Sequence, residues 1–290
     1  MTTPLKKLAA ALSLGLGALI AAPVSAAPLF ADVVAIVDES GSMSGEHAWL
    51  GGMVSALDTE LNTAGLTPNQ YGLVGFGANS AHGIAGHSHL VGGGQFGSAA
   101  QFATATSGLV INGGFEDGYS GMSTAFGYSF RANAARNFIL VTDEDRDNNG
   151  GGETYASMLA TFLRTSTLLN AVINASFRCG DGSVALGIKS GGTGYKADGL
   201  GGYTTCSGAS ALSGAGTTIA DYVNLALATG GAAWDLNLLR AGGLTATSFT
   251  NAFVDIKVGE IQQQIPEPAS LALMGLGLAG LAAARRRKNA

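Results

Sequence analysis

A chain of 290 residues with 47% hydrophobic content is too apolar for wholesale disorder and long enough for one large domain, while its 45 glycines exclude a long-helix or coiled-coil protein. Only 12% of residues are charged, and the net charge of −5 hides a more acidic body. Six of the fifteen basic residues lie at the two ends; between residues 27 and 265 nine basic residues face nineteen acidic ones, a net −10. That balance excludes nucleic acid as a partner and favours cations or cationic surfaces.

The chain opens with Lys6 and Lys7, an apolar run over residues 8–22, and the small-residue exit Val24, Ser25, Ala26. This three-part form predicts a secretory signal peptide over residues 1–26. Residues 31–37 (ADVVAIV) then read as a buried parallel strand ending at Asp38. A helix follows, with Ser44 as its cap and Trp49, Leu50, Met53, Val54, Leu57 and Leu61 on one face. Residues 71–77 (YGLVGFG) read as a second strand and the Gly/His-rich stretch after it as a hairpin. A helix is expected from Thr124 to about Ala135, a strong buried strand at residues 137–143, an amphipathic helix carrying Tyr155, Met158, Leu159, Phe162 and Leu163, and a strand at 170–177. Two further helices, at 219–228 and 248–261, complete the body, the last burying Phe249, Ala252, Phe253 and Ile256. This βαβα alternation predicts an α/β fold: a doubly wound, mostly parallel sheet flanked by helices, with ligands at the carboxyl ends of the strands.

Cys179 and Cys206 are the only cysteines. Export to an oxidising compartment favours a disulfide between them, clipping a Gly-rich insertion at about residues 179–206.

Chemistry concentrates where the first strand ends. Asp38, Ser40 and Ser42, in VDESGSM, form D-x-S-x-S, three hard oxygen donors in one loop, a set suited to Mg²⁺. Asp143 stands at the end of another buried strand, and Thr124 opens a helix between them. Alone, the D-x-S-x-S loop is equally a serine-rich helix cap. Asp145, Asp147, Asn149 and Gly150 give D-x-D-x-N-G, half of a calcium loop, but Ala156 stands where its glutamate belongs; a solvated acidic turn is the favoured reading and a second Ca²⁺ the alternative. His82, His87 and His89 lie within eight residues, with His87 and His89 on one strand face, yet no Cys or acid close in sequence completes a transition-metal set, and they read as exposed hairpin residues. The G-x-G-x-x-G match at Gly92, Gly94 and Gly97 reads as chance in so glycine-rich a chain. No nucleophile elbow or triad spacing is present, so no catalytic residue is assigned.

With Asp38, Ser40, Ser42, Thr124 and Asp143 in this order, the chain resembles a von Willebrand factor type A domain with a metal-ion-dependent adhesion site, over residues 27–265. The segment ATGGAAWDL near Gly230 is similar to that family's closing strand. The resemblance implies Mg²⁺, or Mn²⁺ or Ca²⁺ in its place, held by those five residues, with an open coordination position for a carboxylate from a protein or matrix ligand. The family often has Gly after its last aspartate, where this chain has Glu144.

Residues 266–290 resemble a PEP-CTERM sorting signal: Pro266, Glu267 and Pro268, an apolar segment at 271–284, and Arg285, Arg286, Arg287 and Lys288. The resemblance implies a short membrane helix that holds the chain transiently in the inner membrane, an exosortase that cuts at the motif, and release to the cell surface or matrix. The expected function is a metal-dependent adhesion domain and not an enzyme. The alternatives are a hydrolase acting on matrix polymer, with Asp38 or the cluster from Asp143 to Asp147 as acid/base groups, and a structural matrix protein with a non-functional metal site.

Overall fold

The computed structural model describes residues 30–148 and 152–264; the expected signal peptide, sorting motif and short apolar helix lie outside them. Strand β1 (Ala31–Asp38) is buried along its whole length and pairs in parallel with β2 (Gln70–Phe76) on one side and β4 (Ala135–Thr142) on the other. Beyond β4 lie β5 (Thr167–Ile173), parallel to β4, and β12 (Ala232–Asp235), parallel to β5. The strands beyond this parallel centre are antiparallel. On one flank β3 (His87–His89) pairs with β2; on the other β8 (Gly187–Lys189), β9 (Thr193–Ala197) and β10 (Tyr203–Cys206) follow β12. The nine-stranded order is β10-β9-β8-β12-β5-β4-β1-β2-β3.

The alternation of β1 builds two cores. Val33, Ala35 and Val37 face helices α1 (Ser44–Thr63), α3 (Ala99–Ala105) and α8 (Gly243–Gln263), whereas Val34 and Ile36 face α4 (Gly118–Phe126), α5 (Tyr155–Thr165) and α6 (Asn224–Ala228). This is the period-two consequence of a strand covered on both faces. The chain moves outward from β1 to β2, then returns across β1 to β4. Between the carboxyl ends of β1 and β4 the winding therefore reverses, which is where open α/β sheets present ligand sites.

Several local expectations shift. Ser44 is the first helical residue, not a cap, and Met43 precedes it without a side-chain bond. The helix expected from Thr124 begins six residues earlier, at Gly118, because Asp117 caps it: its carboxylate accepts the Tyr119 N–H at 3.1 Å. That helix ends at Phe126, leaving a loop before β4. The strand expected at 170–177 breaks at Asn174, and β6 (Ala175–Arg178) joins a separate three-stranded sheet with β7 (Val184–Ala185) and β11 (Ser210–Gly214). The first turn expected of the 219–228 helix is a π-helical turn, Ile219–Val223.

Cys179 and Cys206 are joined. The segment between them is not a floppy loop; it supplies β7 to β10 and extends the main sheet. Tyr195 on β9 stacks on Trp234 of β12, ring centroids 5.4 Å apart, and Phe249 and Phe253 of α8 close on the same indole edge-on.

Candidate metal centre

The reversal point carries the D-x-S-x-S loop. Asp38, fully buried at the end of β1, accepts the Ser40 N–H on Oδ1 at 2.8 Å and the Thr142 hydroxyl on Oδ2 at 2.7 Å. The parallel register makes this contact: Val37 stands opposite Val141, so the next residues meet at the strand ends. The Ser40 and Ser42 hydroxyls lie 3.3 Å apart, and Ser42 donates to Asp143 Oδ1 at 2.8 Å. Gly77 (φ +86°) passes close by, where an added Cβ would sit 2.8 Å from Asp38 Oδ1; positive φ and this crowding both favour glycine.

Four of the five expected ligands thus converge. Thr124 does not join them. It sits inside α4, its hydroxyl donating to the Gly86 and Ser120 carbonyls at 2.9 and 3.1 Å. The Asp117 cap moves the helix start upstream, so the residue reaching the site from the preceding loop is Glu116, in GGFEDG. Glu116 is buried and feels both the Ser40 hydroxyl and the Asp38 charge. A loop acid immediately before a capping aspartate was the available sequence signal.

The electrostatics are those of crowded acid. Burial pushes the Asp38 carboxyl up to about 6 against the bonds from Thr142 and Ser40, with the Asp143 charge adding to the rise. Burial pushes Glu116 up to about 7, reinforced by the charges of Asp38, Glu144 and Asp147 and opposed by the Ser40 bond. Burial raises Glu144 as well, with the charges of Asp143, Asp145 and Asp147 adding to the rise. One cationic side chain enters: Arg240, at the end of α7 (Leu236–Arg240), donates to Asp143 Oδ2 at 2.8 Å and to Glu46 Oε1 at 2.6 Å. A cleft lined by Ser42, Glu46, Trp49, Leu239 and Arg240 opens beside it. A second cavity, lined by Ala134, Phe162, Leu168 and Gln264, lies at the amino ends of β4 and β5, away from these acids.

The donor set fits a hard divalent cation: carboxylates of Asp38, Glu116 and Asp143 with the hydroxyls of Ser40 and Ser42, all oxygen. The acidic run that follows is built differently. Asp145 accepts the Thr217 N–H at 3.0 Å, Asp147 accepts the Glu116 N–H at 3.2 Å, and Arg146 between them turns inward to a buried ion pair with Asp117 at 2.7 Å. The two carboxylates bind separate backbone segments rather than a common centre, and Asn149 lies outside the described residues. Of the three histidines His82 is exposed as expected, whereas strand pairing brings an acid, Glu39, onto partly buried His87 and His89.

Comparison with known proteins adds the following. Residues 264–288 match the PEP-CTERM protein-sorting motif. That motif implies export to the cell surface or beyond and processing by an exosortase. No curated protein matches the sequence. Solved structures similar to it include proximal thread matrix protein 1 from the mussel byssus, at 15% identity and TM-score 0.38 over 50% of this chain and 35% of that one. The same byssus protein with a zinc-occupied MIDAS motif gives 18% identity and TM-score 0.40 over 52% and 37%. A von Willebrand factor type A structure from Catenulispora acidiphila gives 23% identity and TM-score 0.34 over 50% and 33%. The matched region spans about a third of each of these proteins. Among the described residues no helix is long and apolar enough to cross a membrane.

Proposed function

We propose that this protein is an exported, metal-dependent binding domain of the bacterial surface or matrix, acting as an adhesin and not as an enzyme. Asp38, Ser40, Ser42, Glu116 and Asp143 would hold Mg²⁺. Bound there, the ion supplies a Lewis-acidic position for a carboxylate presented by a protein or matrix ligand. The observation that carries the reading is the continuous chain of contacts from Asp38 and Ser40 through Ser42 to Asp143, formed at the reversal point of the sheet. The residues themselves do three things. Thr142 and the Ser40 N–H fix the Asp38 carboxylate, Ser42 orients Asp143, and Arg240, which lines the cleft, holds the other oxygen of Asp143.

The test pairs calorimetric Mg²⁺ titration with retention on a matrix extract, for wild type and Asp38→Ala. Asp38→Ala is expected to lose Mg²⁺ affinity while its circular dichroism is unchanged, since the site lies in loops above the sheet. Retention is expected to vanish in EDTA and to occur without product release. Undiminished retention of metal-free wild type overturns the binding reading, and unchanged Mg²⁺ affinity in the folded variant removes Asp38 from the site.

A further inference from the structure

Asp38 and Glu39 are consecutive, yet their carboxylates serve different neighbours. Asp38 reaches Thr142 at the end of β4, whereas Glu39 turns toward β3 on the far side of β2. We propose that Glu39, His87 and His89 form a second cation site, selective for a borderline transition metal of the Zn²⁺ class.

The topology makes the set. His87 stands opposite Gly75 and His89 opposite Leu73 across the antiparallel β2–β3 pair, so both imidazoles share one face. Glu39 follows β1, and its carboxylate lies 2.6 Å from His87 Nε2 and 3.2 Å from His89 Nε2. One ligand atom from each of the three residues falls within 4.8 Å of the others. Gly75 leaves the room: a Cβ there would overlap Glu39 Oε2 and stand 2.7 Å from His87 Nε2.

The donor atoms are held by charge rather than by well-angled hydrogen bonds. The fully buried Glu39 carboxylate contacts His87 through Oε2 and His89 through Oε1, while Glu39 Oε2, His87 Nε2 and His89 Nε2 make no aligned hydrogen bond. Two ligands about 2.0–2.1 Å from one tetrahedral ion stand roughly 3.3 Å apart, so an ion would replace the 2.6 Å Glu39–His87 contact by a small separation of the two side chains. The supporting shell is in place. The Val110 N–H donates to Glu39 Oε1 at 2.8 Å, the Glu39 backbone is tied to Phe76 and Asn112, and Thr124 and Ser120 hold Gly86 immediately before His87. His82, closing α2 (Asn79–His82), packs its ring on His87 with centroids 4.2 Å apart.

Two imidazole nitrogens and one carboxylate suit Zn²⁺, which takes N and O ligands and in three-residue sites leaves a fourth position to water. Mg²⁺ prefers oxygen alone, so the two sites divide by ligand softness.

The experiment titrates Zn²⁺ into the full chain with Mg²⁺ in excess. Long-range ¹H–¹⁵N spectra are expected to show the ring nitrogens of His87 and His89 shifting with one equivalent of Zn²⁺. His47, whose Nε2 is held by the Asp38 carbonyl at 2.8 Å, should stay unmoved as an internal reference. Glu39→Gln and His87→Gln are each expected to weaken Zn²⁺ binding more than about 100-fold, the upper range for losing a merely supporting residue, and Asp38→Ala to leave it intact. Ring nitrogens of His87 and His89 that do not move, or folded Glu39 and His87 variants with wild-type Zn²⁺ affinity, overturn the proposal. Should a variant not fold, the wild-type spectra decide alone.

Discussion

Glu116, which the sequence order leaves without a role, stands where Thr124, eight residues later, was expected. The prediction follows directly. Glu116→Gln removes a charged oxygen donor and is expected to weaken Mg²⁺ binding at least tenfold by calorimetry, while Thr124→Val leaves it unchanged. D-x-S-x-S and Asp143 were legible because a buried strand ending in acid announces both its own end and its position above the sheet. The third loop was not, because its reach depends on where α4 begins, and a capping aspartate, not the glycine turn near Thr124, decides that. The Glu39 cluster was invisible for a different reason: its acid lies 48 residues before His87, and only strand pairing brings them together.

A second residue-scale consequence concerns Lys257, wholly buried on α8 beside Glu260, which also accepts a bond from Asn170 Nδ2 at 2.6 Å. Burial pushes the Lys257 ammonium down to about 8, against the charge of Glu260. Between pH 8 and about 10.5 the unfolded chain therefore carries a proton on this residue that the folded chain does not, so stability rises with pH across that window. The expected gain relative to Lys257→Met, read by urea denaturation at pH 8 and pH 10.5, is on the order of 3 kcal/mol. Parallel pH dependence in the two proteins would contradict the assignment. Near pH 7 Lys257→Met is expected to cost about 3 kcal/mol by leaving buried Glu260 with only Asn170 and the more distant Lys189, and Lys257→Met with Glu260→Gln to recover most of it.

At the scale of elements, the β2–β3 pair illustrates how a missing side chain positions a site. Gly75→Ala is expected to abolish Zn²⁺ binding as thoroughly as loss of a histidine while leaving Mg²⁺ binding within threefold, because the added methyl occupies the space of Glu39 Oε2 and not that of Asp38. The same titrations measure both. Helix α8 shows the converse, a site of packing without chemistry: Phe253 contacts Trp49, Trp234 and Phe249, and Phe253→Ala is expected to cost about 3–5 kcal/mol in denaturant unfolding. Period and burial made α1, α8, β1 and β4 readable in advance, since each carries an apolar pattern long enough to outweigh the few charged residues it buries. The split of the 170–177 run into β5 and β6 was not readable. Asn174 was the one local signal, a strand-poor residue at the break, but which sheet each half joins is set by tertiary pairing.

For the whole molecule, the cysteine segment changes meaning. The Gly-rich insertion is ordered sheet: Tyr195 and Ile188 are buried and its strands complete one margin. Replacing both cysteines by Ala is expected to lower stability by about 3–4 kcal/mol, the loop-closure value for a separation of 27 residues, with secondary structure retained. Export sets a second expectation. Because the sorting motif occupies residues 264–288, peptides from residues 271–290 should be missing when the protein recovered from the medium is mapped by mass spectrometry.

The sheet ends in two short margins, β10 with four residues and β3 with three. Sheets fray from such edges, and exposed edges invite pairing with other chains. Here each margin is fastened from outside its own hydrogen-bond ladder: β10 through Cys206 to the neighbouring small sheet, β3 through its histidines to the terminus of the central strand. Peeling from the left requires breaking a covalent bond, and peeling from the right requires separating Glu39 from His87 and His89. With Zn²⁺ bound at Glu39, His87 and His89 as proposed, a reductant and a chelator would loosen opposite sides of the same protein, and hydrogen exchange should tell the two treatments apart strand by strand.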